Sequence, residues 1–322
     1  MHGALLVDKP SGPTSHDVVG FVRRLLKTKR VGHTGTLDPL ATGLLIMLVG
    51  HATRLAQFLV ADQKEYVADI RLGIATRTYD AASLDETAVR WAMGDGRWPT
   101  EEDVVRVLPD FLGTFPQLPP VYSAKKIGGV RAYEMARKGE DVEMKPVEVT
   151  VRELELLEPR TTDLGPRTSD LDTRDTTLMR VRVVASAGFY VRSLAHDIGQ
   201  VLGCGGHLEA LRRTRVGRFR IADAATLDQL DAAGSEAAGR IVPMNALLSD
   251  YPAVTLTAEG LRRAGNGNTL APEVFRLAAE STGADTGLRA GDRVRVLDGS
   301  GEVLSVAEWR PDGLLHPLLV LR

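Results

Sequence analysis

The sequence predicts an α+β protein of mixed α/β character, on three observations. Apolar runs of strand length recur, at residues 3–7 (GALLV) and 44–49 (LLIMLV). Residues 66–72 alternate as a half-buried strand does, whereas Val18, Val19, Phe21, Val22, Leu25 and Leu26 recur at helical spacing. A chain of 322 residues has room for about two domains of roughly 150 residues each, and for a core that needs no covalent staples. With 43% apolar and 25% charged residues, it has the balance of an ordinary globular protein.

The first strand ends at the turn Lys9-Pro10-Ser11-Gly12-Pro13, and Thr14, Ser15 or Asp17 can cap the helix that follows. That helix closes on the basic cluster at 27–30. Next come the glycine-rich stretch GHTGTLDPLATG (32–43), the apolar run from Leu44, and a helix expected at 53–61. The acidic stretch 84–112 reads as a helix rich in connecting turns. Further strands are expected at 147–157, 178–186 and 216–221, with a helix at about 191–203. Segment 159–177 holds Leu164 and Leu171 as its only large apolar residues, and is expected to be a solvated, mobile hairpin loop. From about Asp250 the pattern changes to alternating strands around a Gly-rich turn (GDRVRVLDGSGEVLSVAEW), the mark of a small β-rich appendage.

Several function classes drop out early. A lone cysteine, Cys204, has no partner for an internal disulfide or a thiolate zinc site, and no histidines pair at i, i+4. No apolar run approaches the roughly 20 residues of a membrane span. We therefore expect a cytoplasmic protein with no metal. The formal charge is −2, with 40 basic against 42 acidic residues, but the average conceals segregation. Residues 1–58 carry seven basic and three acidic side chains, and 121–139 carry five against one. Five arginines crowd into 209–220 against Glu209, whereas 79–110 holds eight carboxylates and three arginines. If the three basic segments share a face, they form the footprint that phosphate backbones require; otherwise they are solvated surfaces.

Within GHTGTLDPLATG, small residues precede Asp38, Pro39 fixes the backbone after it, and Gly43 reopens the chain before the buried strand. Such a loop lifts one carboxylate toward a ligand. It is no P-loop, since Leu44 follows Gly43 where Lys-Ser/Thr is needed, and Gly203-Cys204-Gly205-Gly206 fails the dinucleotide pattern at Leu208. By residue type alone, Asp38 suits a turn-former bonding its own backbone better than it suits a catalyst.

Taken with LLVDKPSGPTSHDVV upstream, QKEYVADIRLG at 63–73, PPVYSAKKIGGVRAYEMARKGE at 119–140 and AGFYVRSLAHDIG at 187–199, the loop resembles the bacterial TruB-type tRNA pseudouridine-55 synthases. The motifs run in family order from about residue 3 to about residue 220. The resemblance implies a pseudouridine-synthase catalytic domain over 1–248, built on a central mixed sheet with a thumb-like insertion at about 113–141. A PUA-like RNA-binding domain would follow at 249–322. It further implies an isomerase that acts on the T-loop uridine of tRNA, as a monomer, with no cofactor and no metal.

Residue roles follow from the same resemblance. Asp38 matches the family's catalytic aspartate, and a carboxylate can act as nucleophile or proton acceptor when a C1′–N1 bond is exchanged for C1′–C5. Arg192 matches the arginine that holds that carboxylate, and Tyr66 the tyrosine on which an extruded base stacks. His33 matches a histidine that props the reorganised T-loop, Leu211 a leucine of the uracil pocket, and Lys9 a lysine that supports the active-site loop. Asp80, Lys125 and Arg131 complete the expected RNA contacts. Each has a plainer alternative, as a core tyrosine, a packing leucine or a structural ion pair.

The sequence also departs from the family pattern. An acid of the usual Thr-Asp-Thr-x-Asp run is Arg77 here (Thr76-Arg77-Thr78-Tyr79-Asp80), Tyr79 and Arg77 are expected to alter a contact to the flipped-out nucleotides, and Lys126 adds a cation to the SAKK segment. Two other readings stay open: a T-loop-binding RNA chaperone without turnover, and a guide-RNA-dependent synthase subunit. Extrusion of a stacked base costs a few kcal/mol, to be offset by phosphate contacts and pocket stacking. Segment 113–141 is therefore expected to be mobile alone and ordered with tRNA, and unchanged amide hydrogen exchange there on adding tRNA would contradict this.

Overall fold

The computed structural model describes residues 1–59, 63–85, 87–91, 98–123, 125–157, 176–277 and 287–321. The apolar run after the glycine-rich loop forms the strand Thr42–Val49, buried along its whole length. Leu45, Met47 and Val49 belong to one hydrophobic cluster and Leu44, Ile46 and Leu48 to another, so the unbroken apolar sequence serves a strand covered on both faces. Its neighbour Gly3–Lys9 divides likewise, with Leu5 and Val7 on the first side and Ala4 and Leu6 on the second.

Around this pair the sheet runs Ala225–Thr226, Gly3–Lys9, Thr42–Val49, Gly206–Val216, Lys64–Leu72, Thr177–Ala185, Val147–Leu157 and Gly113–Gln117. Pairing is antiparallel except where Ala225–Thr226 meets Gly3–Lys9 and where Gly206–Val216 meets Thr42–Val49. The sheet is thus mixed, as expected.

Helices Ser15–Leu25 and Val191–Val201 cover the first side, contributing Val18, Val19, Val22, Leu194 and Ile198 to its cluster. Thr14 is the residue that caps the former: its hydroxyl accepts from the Asp17 amide at 3.1 Å, and its own amide donates to Asp17 Oδ2 at 2.8 Å. The β-rich C-terminal residues form a second sheet, ordered Phe275–Leu277, Ala253–Leu256, Arg293–Leu297, Val303–Trp309, Leu315–Val320. It has its own cluster around Val254, Val294 and Leu315, yet Leu297, Val303, Val306 and Leu321 join Leu6 and Ile46 on the second side of the main sheet.

The structure corrects several expectations. The strand expected at 216–221 is Gly206–Val216, with Phe219–Arg220 a short return. Register shifts between Leu208 and Ala210 and between Arg213 and Arg215 bring Leu208, Leu211 and Arg213 opposite Ile70, Ala68 and Tyr66. These bulges break the period-2 pattern on which recognition from sequence depends, and the segment's Leu, Glu, Ala and Arg residues favour helix. The helix expected at 53–61 is a 3₁₀ segment, Gly50–Leu55, continuing as Ala56–Leu59. Among the described residues of the acidic stretch, the α-helix is confined to Glu101–Val107 and continues as a 3₁₀ turn, Leu108–Phe111. Residues 113–117 of the expected thumb pair with Val147–Val151 as the sheet's edge strand. Gly128 and Gly129 make the turn of a hairpin between Lys126–Ile127 and Val130–Arg131, both at positive φ (58° and 91°). Most of the 159–177 loop lies outside the described residues.

The helix Val191–Val201 sits close to the main sheet because Gly199 carries no side chain. A Cβ there would lie 2.3 Å from the Gly205 carbonyl carbon and the Gly206 nitrogen, both backbone. Gly→Ala inside a helix normally stabilises by roughly 0.5–1 kcal/mol. For Gly199→Ala the sign is expected to reverse, to a loss of at least about 2 kcal/mol in urea unfolding, because the clash is with backbone that cannot move aside cheaply.

Candidate active site

The hairpin between Val31–His33 and Thr42–Val49 presents Asp38, and side chains from distant segments hold it. Lys9, fully buried, donates from Nζ to the carbonyls of Pro10 and Pro13 at 2.8 Å and of Pro39 at 3.2 Å. Ser15 Oγ donates to the Leu37 carbonyl at 3.0 Å and accepts from the Leu37 amide at 2.9 Å. Arg213 donates from Nη2 to Gly35 O at 3.2 Å, from Nη1 to Thr36 O at 3.4 Å and from Nε to Leu44 O at 2.7 Å. Gly43, at φ +101°, lets the strand leave the loop: a Cβ there would stand 2.3 Å from the Arg213 carbonyl oxygen.

Arg192 completes the arrangement. Its Nε is 2.9 Å from Asp38 Oδ2 and its Nη1 is 3.5 Å from Asp80 Oδ2. Nη1 also donates to Thr78 O at 3.1 Å, and Nη2 to Tyr122 O at 3.0 Å. The arginine side chain is 7% exposed, whereas Asp38 remains 35% exposed. One carboxylate is therefore held on its protein side and left open to a ligand on the other.

Asp38, Tyr66, Arg192, Leu211 and Lys125 line one cavity of about 530 Å³, together with Lys64, Tyr190 and Arg213. Lys9 lies behind the loop. His33, half-buried, is not among the cavity-lining residues, and burial pushes its pKa down, favouring a neutral ring. Asp80, expected at the RNA, is buried: it faces Arg192 and accepts from the Ala82 amide at 3.0 Å and the Thr78 hydroxyl at 2.5 Å. Burial raises its pKa, opposed by Arg192. Lys125 donates to Lys145 O at 3.1 Å at the cavity wall. Arg131 ends the small hairpin, its backbone opposite Lys126.

The Thr76–Asp80 departure also has a place. Tyr79 sits at φ +62° and its ring stacks on His196, centroids 3.9 Å apart, one turn beyond Arg192 on the same helix. Arg77 lies over the Tyr122 ring, 5.5 Å from its centroid, beside the carbonyl that Arg192 uses. Of the arginines counted as a basic cluster at 209–220, Arg212 pairs with Asp8 at 2.7 Å, Arg215 with Glu65 at 3.5 Å, and Arg213 is buried. Residue counting missed this, because it cannot tell a phosphate-facing arginine from one that holds the chain. Arg213 and Tyr190, both at the cavity, were also missed as site residues.

The family description of the TruB pseudouridylate synthase N-terminal domain matches residues 23–191, and that of the tRNA pseudouridylate synthase B C-terminal domain matches 192–249. The chain belongs to the TruB family. The tRNA pseudouridine synthase B of Solibacter usitatus (strain Ellin6076) is 40% identical over 326 residues, covering 100% of both chains. That of Burkholderia mallei (strain NCTC 10247) is 41% identical over 327 residues, covering 98% of this chain and 96% of the other. Among solved structures, the chain is similar to one in an H/ACA RNP bound to a substrate RNA containing 2′-deoxyuridine, with a TM-score of 0.69 and 25% identity over 99% of this chain and 85% of that one. A Cbf5–Nop10–Gar1 complex gives a TM-score of 0.68 at 25% identity, over 99% and 85% of the two chains. This TruB-family fold contains, among the described residues, no helix long and apolar enough to cross a membrane and no group of three potential metal ligands.

Tyr66 and Asp197 also depart from ordinary acid–base behaviour. Burial raises the Tyr66 phenol, with Arg213 pulling the other way. Burial also pushes Asp197, on the Arg192 helix, up to about 6 from 3.8. An acid raised in the fold binds its proton more tightly there, so its added stability is present below pH 3.8 and is lost as pH rises through about 6. Relative to Asp197→Asn, the wild-type unfolding free energy is expected to rise by on the order of 2 kcal/mol between pH 7 and pH 4. Urea melts of both proteins across that range read the difference directly, and parallel curves would contradict it.

Proposed function

We propose that the chain is a tRNA pseudouridine synthase that isomerises the T-loop uridine at tRNA position 55. The observation that carries this reading is an aspartate held by a desolvated arginine on the wall of a cavity that also holds a buried tyrosine and a leucine. In the reaction the uridine is everted into the cavity and its C1′–N1 bond breaks with help from the Asp38 carboxylate. The uracil turns, C1′ joins C5, the C5 proton departs and N1 takes up a proton, so that atoms and charge balance. Arg192 keeps the carboxylate aimed at the sugar–base junction. Tyr66 and Leu211 form the walls against which the base turns, with the phenol oxygen near the proton lost from C5. Lys9 serves the reaction indirectly by fixing Pro10, Pro13 and Pro39.

This reading divides the chain into a catalytic unit, 1–248, and a PUA-like RNA-binding unit, 249–322. Lys125 and Arg131, with the small hairpin between them, close on the RNA, while His33 meets the T-loop outside the cavity. A guide-RNA-dependent reading has one observation in its favour, the likeness to proteins solved in H/ACA complexes. The family matches and full-length relatives favour the stand-alone enzyme.

Incubation of the purified chain with an unmodified T-arm hairpin, followed by mapping with a reagent that stops reverse transcription at pseudouridine, tests both readings. Product at the T-loop uridine without other proteins is expected, and its absence with the bare hairpin would favour the guided form. Asp38→Asn is expected to lower the single-turnover rate by more than about 10³-fold while tRNA affinity stays within about threefold. A variant that still turns over at the parent rate would leave only a binding role for the site.

A further inference from the structure

Arg213 is among the largest fully buried side chains, at 1% exposure, and its placement asks for an explanation. Its strand neighbours Arg212 and Arg215 each reach a carboxylate, Asp8 and Glu65. Among the described residues no carboxylate forms an ion pair with Arg213. A buried guanidinium without such a partner is costly, and an apolar side chain would fill the same space more cheaply. What it has instead are carbonyls on both limbs of the Asp38 hairpin: Gly35 and Thr36 before the aspartate and Leu44 after it. Arg213 and Tyr66 also stand directly opposite each other on adjacent antiparallel strands and line the same cavity, where the guanidinium opposes the upward push of burial on the phenol.

We propose that Arg213 is the positioning residue that fixes Asp38 and Tyr66 relative to each other, stapling the two limbs of the hairpin while orienting the tyrosine hydroxyl at the cavity. This rests on the pseudouridine-synthase reading above. Arg192 touches the reacting carboxylate itself, whereas Arg213 acts on the hairpin backbone and on Tyr66. A planar fork has five donors in fixed directions, enough for the three carbonyls with donors left to face the Tyr66 hydroxyl; an ammonium on a flexible stem has three. The role therefore belongs to arginine specifically, and not to positive charge alone.

The test compares wild type, Arg213→Lys, Tyr66→Phe and the double variant, after thermal unfolding confirms that each is folded. The readouts are single-turnover pseudouridine formation on tRNA and tRNA affinity. R213K is expected to lower the rate by roughly 10- to 100-fold with affinity unchanged, since a small misplacement of reacting groups has an effect of that size. In the Y66F background the same substitution is expected to cost several-fold less than in the wild type, because one of the two routes it acts through, the hydroxyl, is gone while the backbone contacts remain. R213K at the wild-type rate overturns the proposal, as does a cost that is the same in both backgrounds. A loss that appears only in tRNA affinity also overturns it, since Arg213 would then be a binding residue. If R213K does not fold, Y66F alone decides: a folded Y66F at the wild-type rate removes the hydroxyl from the mechanism and overturns the proposal, and a slowed rate at unchanged affinity supports it. A wild-type chain that makes no pseudouridine sinks the functional reading itself, an outcome distinct from all of these.

Discussion

The Asp38 carboxylate lies on a stretch of backbone that no sheet ladder holds, so cations from elsewhere in the chain determine where it stands. Apart from the Thr34 amide, which donates to Ile46 O, and the Ala41 amide, which donates to Asp38 O, residues 34–41 need partners outside the hairpin, since buried backbone groups left unpaired cost about as much as a lost hydrogen bond. Lys9 takes Pro39, Ser15 takes Leu37, Arg213 takes Gly35, Thr36 and Leu44, and Arg192 takes the carboxylate itself. The four come from the first strand, the first helix, the bulged Gly206–Val216 strand and the helix that follows Tyr190. A short loop thus inherits the rigidity of four separate elements.

That arrangement requires the sheet to be mixed. Gly206–Val216 runs parallel to Thr42–Val49, with Arg213 in register with Gly43, and antiparallel to Lys64–Leu72, with Arg213 in register with Tyr66. One residue therefore faces the loop on one side and the tyrosine on the other. The bulges near Glu209 and Thr214 adjust which side chains face the cavity, and the close approach at Gly43 leaves no room for a side chain where the strands meet.

The Thr76–Asp80 segment shows how a departure in sequence can leave the chemistry intact. Arg77 replaces an acid but lies against Tyr122, while the residues that serve Arg192 are the Thr78 carbonyl and the Asp80 carboxylate. Tyr79 adopts a left-handed conformation that a bulky residue seldom takes, and its stacking on His196 compensates by packing the segment onto the helix that carries Arg192.

The glycine-rich loop, the apolar run after it, the capped first helix and the motif strings were all readable along the chain, because each is a local pattern of size, polarity or spacing. From these the mixed architecture, the family and the candidates Asp38, Tyr66 and Arg192 followed. Other features required the folded chain. Asp80 and Arg131 were expected at the RNA by kinship with the family; Asp80 is buried beside Arg192, while Arg131 is placed by its backbone alone. Arg212, Arg213 and Arg215 were counted as one basic patch, yet they face Asp8, the Asp38 hairpin and Glu65. Composition records how many charges a segment has, but the direction each points depends on bulges and on strands far away in sequence. That is why the amino-acid order alone fixed which groups were present, and only the tertiary structure decided which of them meet.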